Sequence, residues 1–218
     1  MSTIQAIIFD LDGTLLNTLD DLAGSTNRVL SQYGYPTHPP KAYKYFVGDG
    51  IDKLVFRVLP LEKRDEKTVN ICVKALRDDY SRHWKDQTRL YDGIEDMLSE
   101  LSRRGIQLTI LSNKPHHLTE LTVSHYFADW NFAEVAGAID AIPKKPNPAG
   151  AIRIIEKMKI APENFLYLGD TNTDMKTANG AGIFAIGALW GFRTESELLE
   201  SGAKAVISKP SEIFNHIK

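Results

Sequence analysis

Apolar residues recur along this chain with two different periods. Ile4-Gln5-Ala6-Ile7-Ile8-Phe9 is a short, Ile-rich run that predicts a buried strand. From Leu19 the spacing becomes helical. Leu19, Leu22, Ala23, Thr26, Leu30 and Tyr33 share one face, and Gly34 is placed to end the helix. Tyr35 to Pro40 is a loop by composition. A second helical stretch follows Pro40 and breaks at Val47-Gly48-Asp49-Gly50. Ile51, Leu54, Val55, Val58 and Leu59 form another amphipathic face, stopped by Pro60. Val69, Cys72, Val73, Leu76 and Tyr80 place a fourth helix from about Asp65 to Trp84. No strand is predicted between Leu16 and Lys85, so roughly 70 residues of helix follow directly on one strand, enough for a small bundle of their own.

Beyond Leu90 strands and helices alternate. Ile94, Met97, Leu98 and Leu101 form a helical stripe closed by Gly105, and Ile106 to Leu111 is a strand. Pro115 opens a helix reaching about Tyr126, and Glu134 to Gly137 reads as a short strand. Asn147-Pro148 reads as the N-cap and first residue of a helix carrying Ile152, Ile155 and Met158. A strand over Asn164–Leu168, a short helix over Asp174–Asn179, and strands at Ile183–Leu189 and Ala205–Ile207 complete the pattern. This alternation predicts an α/β fold: a Rossmann-like parallel sheet core in three α/β/α layers. The core is expected to be discontinuous, over residues 1–16 and 86–218, with a helical-bundle domain inserted over 17–85.

Ligands of open parallel sheets sit beyond the carboxyl ends of the strands. The first strand ends in Asp10-Leu11-Asp12-Gly13-Thr14, the second in Ser112-Asn113-Lys114-Pro115, and the strand at Leu166–Leu168 in Gly169-Asp170-Thr171-Asn172-Thr173-Asp174. A loop between them holds Lys144-Lys145-Pro146-Asn147-Pro148. Side chains two apart on a strand point the same way, so Asp10 and Asp12 converge if strand geometry persists. Convergent carboxylates need a cation, a shared proton or strong donors. The alternative for that stretch alone is an Asp-Gly turn with both acids solvated. Placing four carboxylates, a hydroxyl, an amide and a lysine at one sheet edge is hard to explain by solvation.

These four stretches together resemble the haloacid dehalogenase superfamily of phosphotransferases, over essentially the whole chain. D-x-D-G-T is Asp10 to Thr14, the strand-end hydroxyl is Ser112, the lysine of K-P-x-P is Lys145, and G-D-x-x-x-D is Gly169 to Asp174. The inserted helices resemble the helical cap of one subgroup. Within it the chain is most similar to the phosphoglycolate phosphatase-like proteins, through Leu15-Leu16-Asn17-Thr18, Val47-Gly48-Asp49-Gly50, Ser112-Asn113-Lys114-Pro115 and Gly187-Ala188-Leu189-Trp190-Gly191. Asn17 departs from the Asp often found there.

The resemblance implies Mg²⁺, an ion that prefers oxygen ligands. Asp10 and Asp170 would ligate it by side chain and Asp12 by its backbone carbonyl, with Asp174 behind them orienting metal waters. Asp10 is then the expected nucleophile and Asp12 the acid and base. Ser112, Asn113 and Lys145 are expected on the phosphoryl group, with help from Gly13 and Thr14, while Gly48 and Gly50 contact substrate from the inserted domain. The implied substrate is a small phosphomonoester, with 2-phosphoglycolate favoured. A pyrophosphatase or sugar-phosphate phosphatase shares the same core motifs. A phosphosugar mutase, phosphonate hydrolysis, dehalogenation and a non-enzymatic binding module fit less well. All four motifs are intact, and Asp12 suits proton transfer to an alkoxide, which a halide does not need.

Bulk properties narrow the remaining choices. The chain has 218 residues, 43% hydrophobic and 25% charged, with a formal net charge of -2. Lys and Arg are dispersed among acids, so no nucleic-acid partner is expected. The single cysteine, Cys72, lies in a helical pattern and reads as core; it excludes an intrachain disulfide and fits a reducing compartment. No run of about 18 apolar residues suggests a membrane span, and no signal peptide is evident, so a cytoplasmic location is expected. The expected assembly is a monomer or homodimer. His116, His117 and His125 lack the spacing of metal ligands, and Gly48-Asp49-Gly50 lacks the preceding strand of a dinucleotide loop.

Overall fold

The computed structural model describes residues 3–217. The chain forms two compact units: one runs to Leu16 and resumes at Leu90, and the other is Asn17–Arg89. The strands are β1 (Ala6–Phe9), β2 (Leu16–Asn17), β3 (Arg89–Leu90), β4 (Gln107–Pro115), β5 (Phe132–Ala138), β6 (Phe165–Gly169), β7 (Phe184–Ala188) and β8 (Ala205–Ile207). Six of them make one sheet in the order β5-β4-β1-β6-β7-β8, and every adjacent pair is parallel. The other two, β2 and β3, pair with each other where the chain leaves and re-enters the sheet unit.

Both faces of this sheet are covered, and β1 shows why its sequence is apolar throughout. Ile7 and Phe9 pack on one side with Ile94, Met97, Leu98 and Leu101, and Ala6 and Ile8 on the other with Ala151, Ile154, Met175 and Ala178. Period-two alternation thus sends successive residues into two separate cores. In β6, Leu166 and Leu168 join the first core, Phe165 and Tyr167 the second. Most of the flanking helices are those the periodicity predicts, as expected for an α/β/α sandwich. Within the sheet, Phe9 lies beside Ile110 of β4 and Leu168 of β6. The carboxyl ends of these three strands are therefore neighbours, and the segments that follow them share one edge.

The second unit holds α1 (Leu19–Gln32), α2 (Tyr43–Phe46), α3 (Ile51–Val58) and α4 (Glu66–His83). Gly34 takes φ +72° just beyond α1, and Tyr35 N–H reaches back to the Leu30 carbonyl, a helix stop that favours glycine. Asp65 caps α4, its carboxylate accepting from Thr68 N at 2.9 Å. Cys72 is buried among Val73, Leu76 and Tyr80 on α4. The second crossing between units lies at Arg89/Leu90 and not after Lys85. The cause is Asp21 of α1: its carboxylate accepts from Gln87 N, Thr88 N and Thr88 Oγ1, which ties those residues to the helices.

The sheet unit also holds α5 (Ile94–Arg103), α6 (His116–Tyr126), α7 (Ala149–Met158), α8 (Asn172–Gly180) and α9 (Glu195–Glu200). Several of its boundaries differ from the sequence reading, three of them for a legible reason. β4 continues four residues past Leu111, because pairing with β5 resumes at Pro115↔Ala138 after a register shift. α7 begins at Ala149 with Pro148 as N-cap, although Asn147 still accepts from Ala149 N at 2.9 Å. α8 begins two residues early, at Asn172, because Thr171 and Asp174 form a capping box. The short helix α9 was not visible as an apolar stripe; Thr194 and Glu197 start it by the same capping chemistry.

Candidate active site

Asp10 follows β1 and is 6% exposed. Its Oδ1 accepts from Leu11 N at 2.7 Å and lies 2.8 Å from Lys145 Nζ. The same ammonium donates to Asp174 Oδ1 at 2.6 Å, so one buried lysine bridges two carboxylates. Lys145 sits on the loop before α7, held by Asn113: Lys145 N donates to Asn113 Oδ1 at 2.9 Å, and Asn113 Nδ2 to the Lys145 carbonyl at 3.0 Å. The predicted phosphoryl ligand Asn113 thus also clamps the lysine loop to the end of β4.

Asp170 and Asp174 come from the turn after β6. Asp170 Oδ1 accepts from Thr14 Oγ1 at 2.9 Å and Oδ2 from Phe192 N at 2.8 Å. Thr14, expected on substrate, therefore orients Asp170. Asp174 Oδ2 accepts from Thr171 N at 3.0 Å and Thr171 Oγ1 at 2.7 Å, and its Oδ1 takes a further bond from the Tyr167 hydroxyl at 3.2 Å. Gly13, with φ +94°, lies so close that an added side chain would run into the Asp170 carboxylate, and the same holds at Gly191. Ser112, 3% exposed, accepts from Lys114 N at 3.2 Å. Asp12 points to a different cation: Lys114 Nζ donates to its Oδ1 at 2.8 Å. Gly48 and Gly50 lie in the helical unit, both with positive φ, on the turn before α3.

Ligand atoms of Asp10, Asp170 and Asp174 all lie within 4.8 Å of one another. Three buried carboxylates face one buried ammonium in this cluster, and the imbalance shows in their acidity. Burial, with the Asp174 charge alongside, pushes the Asp10 carboxyl well above the usual carboxylate range against the pull of Lys145. Burial and Asp174 also raise Asp170 to about 7, despite the donors from Phe192 and Thr14. Burial would lower the Lys145 ammonium, but Asp10 and Asp174 outweigh it and hold it well above the ordinary lysine range. An all-oxygen, net-negative, buried donor set fits a hard divalent cation.

Sequence reasoning missed Tyr167, Thr171, Trp190 and the Phe192 amide as supports. Tyr167 had a signal, a polar tip in an otherwise apolar strand. Trp190, whose indole donates to the Thr14 carbonyl at 2.9 Å, had only its place after β7. The Phe192 contact runs through a backbone N–H and leaves no mark on residue identity.

A parallel sheet with an acid, a hydroxyl, a lysine and a second acid pair at its carboxyl edge defines an α/β protein with a charged site beyond its strand ends. The haloacid dehalogenase-like hydrolase family model matches residues 7–188. The chain is 35% identical over 195 residues to the phosphoglycolate phosphatase of Neisseria gonorrhoeae, covering 87% of this chain and 81% of that one. It is 30% identical over 207 residues to the phosphoglycolate phosphatase of Mannheimia succiniciproducens, covering 92% of each. A solved structure from Lactobacillus delbrueckii subsp. bulgaricus, a candidate phosphoglycolate phosphatase, superposes with a TM-score of 0.93 at 25% identity over 99% of each chain. The chain belongs to the haloacid dehalogenase-like hydrolase family, as the four motifs led us to expect. No helix among the described residues is long and apolar enough to cross a membrane.

Proposed function

We propose that this hydrolase is a Mg²⁺-dependent phosphomonoesterase that works through a phosphorylated Asp10, with 2-phosphoglycolate as its substrate. The observation that carries the reading is the bridged cluster Asp10–Lys145–Asp174 beside Asp170. The names of its relatives support the choice of ester. Asp10, Asp170 and the Asp12 carbonyl would hold the cation. Asp174, whose two oxygens already accept from Lys145, Tyr167 and Thr171, acts behind them by charge. When bound, Mg²⁺ supplies positive charge that lets a carboxylate approach a phosphate dianion.

That approach is the main obstacle. At about 4 Å and an effective dielectric of about 20 each unit pair costs ~4 kcal/mol, hence ~8 against a dianion. Lys145 offsets part of this from the nucleophile's side, and its bond to Asp10 Oδ1 leaves Oδ2 without a hydrogen bond to any described residue. An Asp10 oxygen attacks phosphorus while the bond from phosphorus to the leaving oxygen breaks, and Asp12 gives that oxygen its proton. A water then attacks the aspartyl-phosphate, Asp12 takes the water's proton, and the bond from phosphorus to Asp10 breaks. Ser112 hydrogen-bonds the phosphoryl oxygens, and Asn113 serves by fixing Lys145. The helical unit, with Gly48 and Gly50 at its turn, is the cap that selects the leaving group in this reading.

The test is a substrate panel with Mg²⁺: 2-phosphoglycolate, pyrophosphate, hexose phosphates and phosphonoacetaldehyde. The expected outcome is the highest kcat/KM for 2-phosphoglycolate. Comparable slow turnover of every compound would sink the substrate assignment, and a clear preference for pyrophosphate or a hexose phosphate would replace it.

A further inference from the structure

Two buried ammonium groups stand at this sheet edge, and the phosphoryl chemistry uses only one. Lys145 serves the nucleophile. Lys114 lies next to the end of β4 with its side chain 4% exposed, and its Nζ is 2.8 Å from Asp12 Oδ1. Its backbone is tied on both sides, N–H to Ser112 Oγ at 3.2 Å and carbonyl to Thr119 Oγ1 at 3.1 Å. Ordering and desolvating a lysine is costly.

We propose that Lys114 is a specificity-determining residue that reads negative charge on the leaving group. The proposal rests on the phosphomonoesterase reading above, and the geometry carries it from there. A proton donor must come within about 2.8 Å of the leaving oxygen, so Asp12 fixes where that oxygen sits. Lys114 Nζ is one hydrogen bond further on, so at most about 5.6 Å from the leaving oxygen when both bonds share Asp12 Oδ1. In an α-hydroxy acid ester the carboxylate begins two bonds from that oxygen, at a distance the ammonium spans. An ammonium has three donors and can serve Asp12 and a substrate carboxylate together. A neutral alcohol offers it nothing, so the preference falls on esters whose leaving alcohol carries an acid group.

The experiment compares 2-phosphoglycolate with 2-hydroxyethyl phosphate, an ester of matching length whose leaving group is neutral. The wild-type enzyme is expected to favour the acid by about a hundredfold in kcat/KM, and Lys114→Gln to erase most of that ratio while Lys114→Arg keeps much of it. Equal losses on both esters in Lys114→Gln would overturn the proposal, since the lysine would then only position Asp12. A ratio unchanged by Lys114→Gln would overturn it as well. A wild-type enzyme active on both esters without preference overturns the role of Lys114 but leaves the phosphomonoesterase standing; no activity on either overturns both. A second measurement does not depend on the folding of a Lys114 variant. Asp12→Asn removes the competing carboxylate, so the Kd of 2-phosphoglycolate should fall severalfold more than that of 2-hydroxyethyl phosphate. Parallel changes for the two esters would count against the proposal.

Discussion

Asp21 in the helical unit and Asp170 in the sheet unit are both buried carboxylates, 4% and 0% exposed. Asp21 accepts from Gln87 N, Thr88 N and Thr88 Oγ1, donors that belong to one short segment and carry no charge. Asp170 has Thr14 and Phe192, but it shares its surroundings with Asp10 and Asp174 and one ammonium. Burial is common to both residues, so burial does not make a site. The difference lies in the supply of positive charge and donors. A carboxylate saturated by neutral donors is a fastener; a group of carboxylates short of cations is poised to take one.

Replacing the proposed nucleophile tests the comparison most severely. Asp10→Asn keeps the shape, removes one of the crowded charges and removes the attacking oxygen. Phosphatase activity should fall by at least about a thousandfold, since a step that proceeds by covalent catalysis loses its nucleophile. Thermal stability should hold or rise, because the burial and repulsion that raise the Asp10 pKa are relieved. Steady-state kinetics and a melting curve on the same preparation check both halves. Full activity in this variant would end the aspartyl-phosphate mechanism.

The shortage of cations should also appear as a pH dependence. Folded Asp170 keeps its proton up to about 7, whereas an unfolded aspartate releases it near 3.8. Between those values the folded state binds the extra proton, so stability falls as pH rises and the full penalty is present above about 7. At ~1.4 kcal/mol per pH unit the effect is up to ~4 kcal/mol from this group. In the proposed reading a divalent ion takes the place of the proton. In EDTA the melting temperature should therefore drop between pH 5 and pH 8, and Mg²⁺ should raise it more at pH 8 than at pH 5. A melting temperature that climbs over this range in EDTA, with an equal Mg²⁺ effect at both ends, would show that the cluster is not short of charge.

How much of this was legible in the sequence depends on which contacts run through side chains. The sheet, the inserted helices and the strand-end chemistry were readable, because period-two and period-3.6 patterns and the residues after each strand are properties of side-chain order. Gly34 stopped its helix as read. The end of β4 was not readable: Ser112-Asn113-Lys114 are polar, but their backbone remains extended because β5 resumes pairing at Ala138, a fact of the neighbouring strand. Asn113 and Thr14 were expected on substrate from the resemblance. Their first partners are Lys145 and Asp170, and such second-layer roles depend on three-dimensional proximity. Lys114 was visible only as part of a motif; that it faces Asp12 and Lys145 faces Asp10 needed the fold.

The other side of the comparison predicts a smaller effect of opposite character. Asp21→Asn leaves an oxygen to accept from Thr88 but turns an amide NH₂ toward donors that need an acceptor. Hydrogen bonds to a charged group contribute about 1.5–3 kcal/mol, and an unsatisfied buried donor costs about 1–3 kcal/mol, so unfolding free energy should fall by roughly 2–3 kcal/mol. The activity of the molecules that stay folded should change little, since no reacting group has been touched, and Mg²⁺ affinity should be unaltered. Urea unfolding measured beside kcat at a temperature well below the transition separates the two. If Asp21→Asn were instead to abolish turnover while leaving stability intact, Asp21 would belong with the reactive carboxylates, and the distinction between saturated and cation-short acids would fail for this protein.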